Sequence, residues 1–227
     1  MTTIARIGNY IAALDGSVVN APSAPFFETA THYWPFDGST NDIGNLANAP
    51  FNKFSSADIS YTTGKIGEAA YFNVAGVMLF NSANAAINGN VPWSISLWFE
   101  PSTGTPNGNI FESSNSIPHT YFNINFGQVR VIRSKSGTTD TLSSTTIESG
   151  WNHIVYTYDS SLSNVYLNNV HVLVDEPTTV YGNTAGSGLI IGGLYNSWRG
   201  AIDLMRFYDY PITTDMVNSL WNGGAGI

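Results

Sequence analysis

Residues 189–220, LIIGGLYNSWRGAIDLMRFYDYPITTDMVNSL, constrain the fold more tightly than any other stretch of the chain. The run from Gly188 to Gly193 is apolar and closed by glycines, which suits a strand buried on both faces with a tight turn behind it. From Arg199 to Asp209 the residues alternate. Ala201, Asp203, Met205 and Phe207 share one face of an extended chain, and Ile202, Leu204, Arg206 and Tyr208 share the other, with the acid at Asp203 interrupting an otherwise apolar face. Pro211 cannot donate to a ladder and ends the strand. Thr213 is then placed to cap a short helix with Asp215 in its first turn and Met216, Val217, Leu220 and Trp221 on its apolar side.

The same reading extends backwards. With 22 glycines, 12 tyrosines and 12 phenylalanines among 227 residues, and only 11% charged, the chain has the profile of an all-β protein with many turns. Its length accommodates one large sandwich with a core stable without staples. Strands are predicted at His32–Phe36, before the turn at Asp37–Gly38; in the stretch from Gly64 to Phe72, with Val77–Phe80 as its partner strand; and at Trp93–Phe99, where Ile95, Leu97 and Phe99 alternate with Ser94, Ser96 and Trp98. Further strands are predicted at Asn109–Phe111, in a hairpin of Tyr121–Phe126 and Gln128–Arg133 turning at Gly127, at Trp151–Tyr158, and at Val165–Leu167 before a turn at Asn168–Asn169. At the start, Ile4, Ile7, Ile11 and Leu14 recur at helical spacing with Gly16 as a stop, which predicts a short amphipathic helix or docking arm. Ser17–Pro25 reads as a linker, so residues 1–25 are set apart from a domain over 26–227.

Five segments, in order, resemble the LamG-like jelly rolls, the laminin G and pentraxin branch of the concanavalin A-like sandwiches. "YWPFDG" resembles the family's opening Y-x-F-D-G, "GKIGEAAYF" its G-K-x-G-x-A-L-x-F, and "WSISLWF" its F-T-I-S-A-W-V. "WNHIVYTY" followed by "VYLNN" resembles W-x-H-x-V-x-T-Y and L-Y-V-N-G, with Asn169 in place of the usual glycine. The closing stretch resembles L-x-I-G, aromatic-x-G and G-x-I-D-E-V-R-I-Y, with Leu204 in place of the usual acid. The resemblance covers about Tyr33 to Trp221 and implies a jelly-roll sandwich of two antiparallel sheets. It leaves the N-terminal arm uncovered.

The sequence limits the chemistry. Glucanases of this superfamily carry E-x-D-x-E along one strand, and no glutamate here has an aspartate two residues later, so the expected function is non-enzymatic. Glu112 and the other glutamates read as solvated strand ends or turns. His32, His119, His153 and His171 lack metal-ligand spacing, and His153, a family position, reads as a ring satisfied beside the core. Without cysteine there is no thiol chemistry. The net charge of −8, with eight basic residues spread thinly, argues against nucleic acid; the one basic cluster, Arg130, Arg133 and Lys135, reads as a solvated edge. No stretch approaches membrane-spanning length, and the N-terminus lacks the pattern of a secretory signal.

Two kinds of site follow from the resemblance. In relatives a structural calcium ties the opening strand to the closing one, which points to Asp37 and Asp203 as ligands with Asn41 or Asp42 from the loop between. Sugar binding on rim loops points to Tyr195, Asn196 and Trp198. For the whole chain, the arm, the acidic composition and the missing signal favour a component of a larger assembly, expected to be a bacteriophage virion protein of the head-decoration or tail-fibre type. Such a protein would fold in the host cytoplasm and contact other virion proteins or copies of itself through Met1 to Ala24. The alternative is a lectin or adhesin module that recognises cell-surface glycans.

Overall fold

The computed structural model describes residues 4–7, 10–13, 18–19, 30–45, 52–53, 59–73, 76–80, 91–102, 107–112, 119–135, 138–175, 189–193, 196 and 198–227. Its strands, in chain order, are β1 (Ile4–Ile7), β2 (Tyr10–Ala13), β3 (Val18–Val19), β4 (His32–Trp34), β5 (Asn52–Lys53), β6 (Ile59–Thr63), β7 (Glu68–Phe72), β8 (Met78–Phe80) and β9 (Trp93–Pro101). There follow β10 (Gly108–Glu112), β11 (His119–Asn125), β12 (Gln128–Lys135), β13 (Thr138–Thr146), β14 (Asn152–Tyr158), β15 (Ser163–Leu167), β16 (Val170–Asp175), β17 (Leu189–Ile191) and β18 (Gly200–Tyr208), and then helix α1 (Thr214–Trp221). Among the described residues no helix is long and apolar enough to cross a membrane.

The fold is an all-β sandwich of two antiparallel sheets. One sheet has the order β13-β12-β11-β10-β17-β8-β5, and the other the order β16-β15-β14-β9-β18-β7-β6, with β4 also paired to β18. Alternation assigns the faces. Ile95, Leu97 and Phe99 of β9, Ile154 and Tyr156 of β14, and Val165 and Leu167 of β15 point inward and meet Phe122, Ile124, Val129 and Val131 from β11 and β12. Each such side chain, fully buried, contributes about 1.5–3 kcal/mol through removal of apolar surface from water.

The outer face of the eight-stranded sheet is covered as well. Trp98, Val155, Tyr166, Leu204 and Tyr208 form a second cluster with Met216, Val217 and Leu220 of α1, so the alternate row of β9 is buried too. The helix starts where the sequence sets it: Thr213 Oγ1 accepts from the Met216 backbone N–H at 3.3 Å. It stops at Asn222, which takes a left-handed conformation.

Strict alternation fails in β18. Asp203 pairs with Trp98 and Arg206 with Ser96, so one extra residue is inserted between them, and Leu204 adopts φ 49°. The bulge coincides with a change of neighbour: Gly200–Ile202 pair with β7, whereas Met205–Phe207 pair with β4. Ile202, Met205 and Phe207 therefore face the core, and Leu204 and Tyr208 face α1. This corrects the regular two-face reading of the segment. The bulge turns Met205 and Phe207 onto the face of Ile202, so Asp203 does not share a face with them.

Three other expectations are corrected. The arm is extended, not helical: β1, β2 and β3 form a separate three-stranded antiparallel sheet, with Ile7 opposite Tyr10. The preference of isoleucine and tyrosine for extended backbone outweighs the helical spacing. The proposed boundary at residue 25 lies outside the described residues. The strand after residue 77 pairs with β17 and β5 in the opposite sheet instead of with β7. Finally, the Thr/Ser-rich stretch after Gly137 forms β13 over nine residues; threonine favours extended backbone even without an apolar row.

Candidate functional site

The sequence-predicted acids separate into two groups. Asp203 is fully buried, and its Oδ2 accepts from the backbone N–H of Lys65 at 2.8 Å and of Ile66 at 3.1 Å, while Oδ1 accepts from Leu204 N–H at 2.7 Å. Asp37 Oδ1 accepts from Glu68 N–H at 2.7 Å. These two carboxylates hold the Gly64–Gly67 turn from either end. Asp42 lies on the other side of β4, where Oδ2 is 2.5 Å from His32 Nδ1 and Oδ1 accepts from Tyr33 N–H and Gly44 N–H, both at 2.9 Å. Asn41 is exposed, and its backbone N–H reaches Ser39 Oγ at 3.4 Å. Asp37 and Asp203 thus flank one turn, whereas Asp42 is engaged by His32, Tyr33 and Gly44. Among the described residues no group of three His, Cys, Asp or Glu could hold a metal ion.

Beneath α1 lies a buried polar cluster. Ser96 Oγ and His153 Nε2 share a hydrogen bond of 2.8 Å, and the imidazole stacks on Trp98 with ring centroids 4.8 Å apart. Burial, with the nearby cations of Arg206 and Lys65, lowers the His153 pKa to about 3, so the ring is neutral. Its Nδ1 has no hydrogen-bond partner. Arg206 is fully buried; it donates through Nη1 to the Leu204 carbonyl at 3.1 Å and through Nη2 to the Ile227 carbonyl, with its guanidinium 4.1 Å from the Tyr33 ring centroid. Burial raises the Asp203 pKa to about 7 despite its backbone donors, and the charge of Asp37 adds to the rise. The cluster lies beside the apolar group that includes α1, and Arg206 ties β18 to Ile227.

The opposite outer face carries polar groups with different surroundings. In β11, Phe122 and Ile124 point inward, so Tyr121 and Asn123 point outward. In β10 a bulge between Asn109 and Phe111 turns Asn109 and Glu112, three residues apart, to that same outer face. Asn109 Nδ2 donates to Glu112 Oε1 at 2.9 Å, and Asn123 Nδ2 donates to Asn109 Oδ1 at 2.7 Å. Arg130 of β12 is directly opposite Asn123, and its Nε is buried without a hydrogen-bond partner. Glu112 is only 3% exposed. Tyr121, opposite Glu112, has its phenol pKa raised by burial and by the Glu112 charge. The row Asn109–Asn123–Arg130, with Glu112 and Tyr121 beside it, brings a carboxylate, two amides and a guanidinium together on one face, with Glu112 and Asn123 buried.

The expected sugar-contacting residues fall unevenly around this row. Asn196 is exposed and borders it, its carbonyl accepting from Asn109 N–H at 2.7 Å. Tyr195 lies outside the described residues. Trp198 is corrected: it is fully buried, edge-on to Phe99 with ring centroids 6.0 Å apart, and belongs to the core. Two further readings are corrected by the row itself. Glu112 is not a solvated strand end, and Arg130 lies on an interior strand, between β11 and β13, instead of at an edge. The side chains of Arg133 and Lys135 lie outside the described set.

Comparison with solved structures finds the same sandwich elsewhere. Domain 4 of AbnA, a GH43 extracellular arabinanase from Geobacillus stearothermophilus solved in complex with arabinotriose, is 21% identical with a TM-score of 0.68, covering 83% of this chain and 96% of that one. The botulinum neurotoxin serotype D binding domain is 10% identical with a TM-score of 0.68 over 87% of this chain. The binding domain of Paraclostridial Mosquitocidal Protein 1 is 13% identical with a TM-score of 0.66 over 86% of this chain. The chain spans about half the length of these two binding domains, 51% and 52%. No curated protein sequence matches the chain. A family model described as the concanavalin A-like lectin/glucanases superfamily matches residues 75–218, from before β8 into α1. With that match spanning more than half of its length and the sandwich formed as the family requires, the chain belongs to the concanavalin A-like lectin/glucanases superfamily.

Proposed function

We propose that the chain is a non-catalytic carbohydrate-binding module whose binding face is the outer surface of the seven-stranded sheet. The observation that carries this reading is the row Asn109–Asn123–Arg130 with Glu112, in which amides are oriented by one another and Arg130 Nε has no partner. Oriented amide and carboxylate groups discriminate sugars by the directions of their hydroxyls, and orientation supplied by neighbours lowers the entropy lost on binding. The arabinanase domain complexed with arabinotriose and the toxin binding domains lend the reading support as proteins of the same fold. By contrast, the virion-component expectation rests on fold analogy and the N-terminal arm, with the acidic composition and the missing signal beside them. It describes a setting in which such a module would serve.

The test is a printed array of neutral and acidic oligosaccharides that includes arabinotriose, probed with the intact chain and with Asn123→Ala. The reading expects selective signals from the intact chain and their loss in the variant. An array with no signal above background overturns it.

A further inference from the structure

The hairpin that carries half of the polar row ends in an aromatic residue that its turn does not favour. Asn125 and Gln128 close the β11–β12 ladder, and the two residues between them, Phe126 and Gly127, both adopt left-handed conformations with φ 49° and 73°. Two such residues in succession make a type I′ turn, whose first position strongly prefers asparagine, aspartate or glycine. A bulky side chain there is strained by contact of its Cβ with the backbone, at a cost of about 1–2 kcal/mol. Nothing in the fold recovers that cost through burial, because Phe126 is 77% exposed.

The turn is nevertheless held firmly. Phe126 N–H donates to Asn107 Oδ1 at 3.0 Å, and Gly127 accepts from Ile147 N–H at 3.1 Å. Asn107 precedes β10 by one residue, so the segment that anchors the turn also supplies Asn109 to the row. At about 3.3 Å per residue of strand, Phe126 stands roughly 10 Å beyond Asn123, a separation that a short oligosaccharide spans. Among the described residues the other exposed large apolar side chains, Ile43, Ile66 and Val170, lie on the loop after β4, the turn before β7 and the start of β16, and none of them is on β10, β11 or β12. A single ring set at the end of a hydroxyl-recognising row is suited to the C–H face of a sugar more than to a broad protein contact.

We infer that Phe126 is a stacking platform for a second sugar unit, one step along the chain from the unit held by Asn109, Asn123 and Arg130. This inference rests on the carbohydrate-binding reading above. It assigns the ligand class as an oligosaccharide of at least two units with an unhindered apolar ring face, since a lone monosaccharide reaches only one of the two positions.

The experiment compares Phe126→Asn, Phe126→Leu, Phe126→Trp and Asn123→Ala by affinity for those printed oligosaccharides that the intact chain binds, with melting temperatures recorded in parallel. Asparagine suits the turn, so Phe126→Asn is expected to melt no lower than the parent while binding at least tenfold more weakly. Phe126→Trp is expected to retain binding and Phe126→Leu to lose it, which separates a ring from mere apolar area. If Asn123→Ala loses binding while Phe126→Asn binds like the parent, the row stands and the stacking role is wrong. A lower melting temperature in Phe126→Asn, or full binding by Phe126→Leu, also overturns it. If the intact chain binds no printed oligosaccharide, the carbohydrate reading itself fails and takes this inference with it.

Discussion

Trp98 and Trp221 lie face to face, with ring centroids 5.2 Å apart and planes within 8° of parallel. Trp98 is outward on β9 and fully enclosed, and Lys65 sits 4.5 Å above its ring centroid. The pair fastens α1 to the eight-stranded sheet. Truncation of Trp98 to alanine is expected to destabilise the chain by about 3–5 kcal/mol, and Trp221→Leu by about 1 kcal/mol from the lost aromatic pairing alone. Denaturant unfolding followed by circular dichroism measures both. Equal stability of Trp221→Leu and the parent would mean that the helix is held by Met216, Val217 and Leu220 without the stack.

The buried groups at Asp203 and His153 respond to pH with opposite signs. Asp203 has its pKa raised from an ordinary value near 3.8 to about 7. The folded state therefore binds more protons than the unfolded state between those values, and this group makes stability fall as pH rises through that window. His153 has its pKa lowered from 6.5 to about 3, so the unfolded state binds more protons there and stability rises with pH across that range. The two slopes oppose each other in the overlap. The chain is expected to show a shallow melting-temperature profile where the windows overlap. Asp203→Asn should tilt it upward with pH and His153→Gln downward; parallel profiles for all three would contradict the assignments.

The Gly64–Gly67 turn is predicted to be intolerant of side chains. Gly67 has φ 65°, and a Cβ placed on it would run into Asp37 Oδ1, the atom that accepts from Glu68 N–H. Gly67→Ala is expected to cost more than about 1 kcal/mol, measured as a lowered denaturation midpoint with an unchanged slope. Combining it with Asp37→Ala, which removes the obstructing oxygen, should cost less than the sum of the two.

Calcium provides a separate test of the opening and closing strands. Because the described oxygens of Asp37, Asp42 and Asp203 face N–H groups or His32, adding calcium to a chelator-treated sample is expected to leave the melting temperature unchanged. A calcium-dependent rise would mean that Asp37 and Asp203 exchange backbone donors for a cation, as the sequence resemblance implies.

What the sequence displays and what it conceals differ in kind. Ile95, Leu97 and Phe99 against Ser94, Ser96 and Trp98 are legible because period-two alternation survives wherever a strand is regular. The helix cap at Thr213 and the turn at Asn168–Asn169, both with positive φ, are legible because their residues act locally. The bulges are not. An inserted residue at Leu204 or Ile110 leaves no local mark, yet it changes the face of everything beyond it. The polar row is hidden for that reason: Tyr121, Asn123 and Asn125 read plainly as a polar face, but Asn109 and Glu112 share it only after the bulge. Trp198 carries two competing signals: the loop-like "GGLYNSWRG" suggests a sugar contact, whereas the family's aromatic-x-G position suggests a packed ring, and it is the packed ring that the core holds.

β18 follows every other strand of its sheet in the chain, yet it lies inside the eight-stranded sheet, hydrogen-bonded to β9 on one edge and to β7 and β4 on the other. Until Tyr208 has emerged from the ribosome, β7 and β9 have no shared neighbour and the sheet remains two unjoined pieces. Closure of this sheet thus waits for the strand that ends at Tyr208, and the apolar strands made before it stay unjoined until then. A message truncated just upstream of β18 is expected to yield aggregate instead of a folded sandwich.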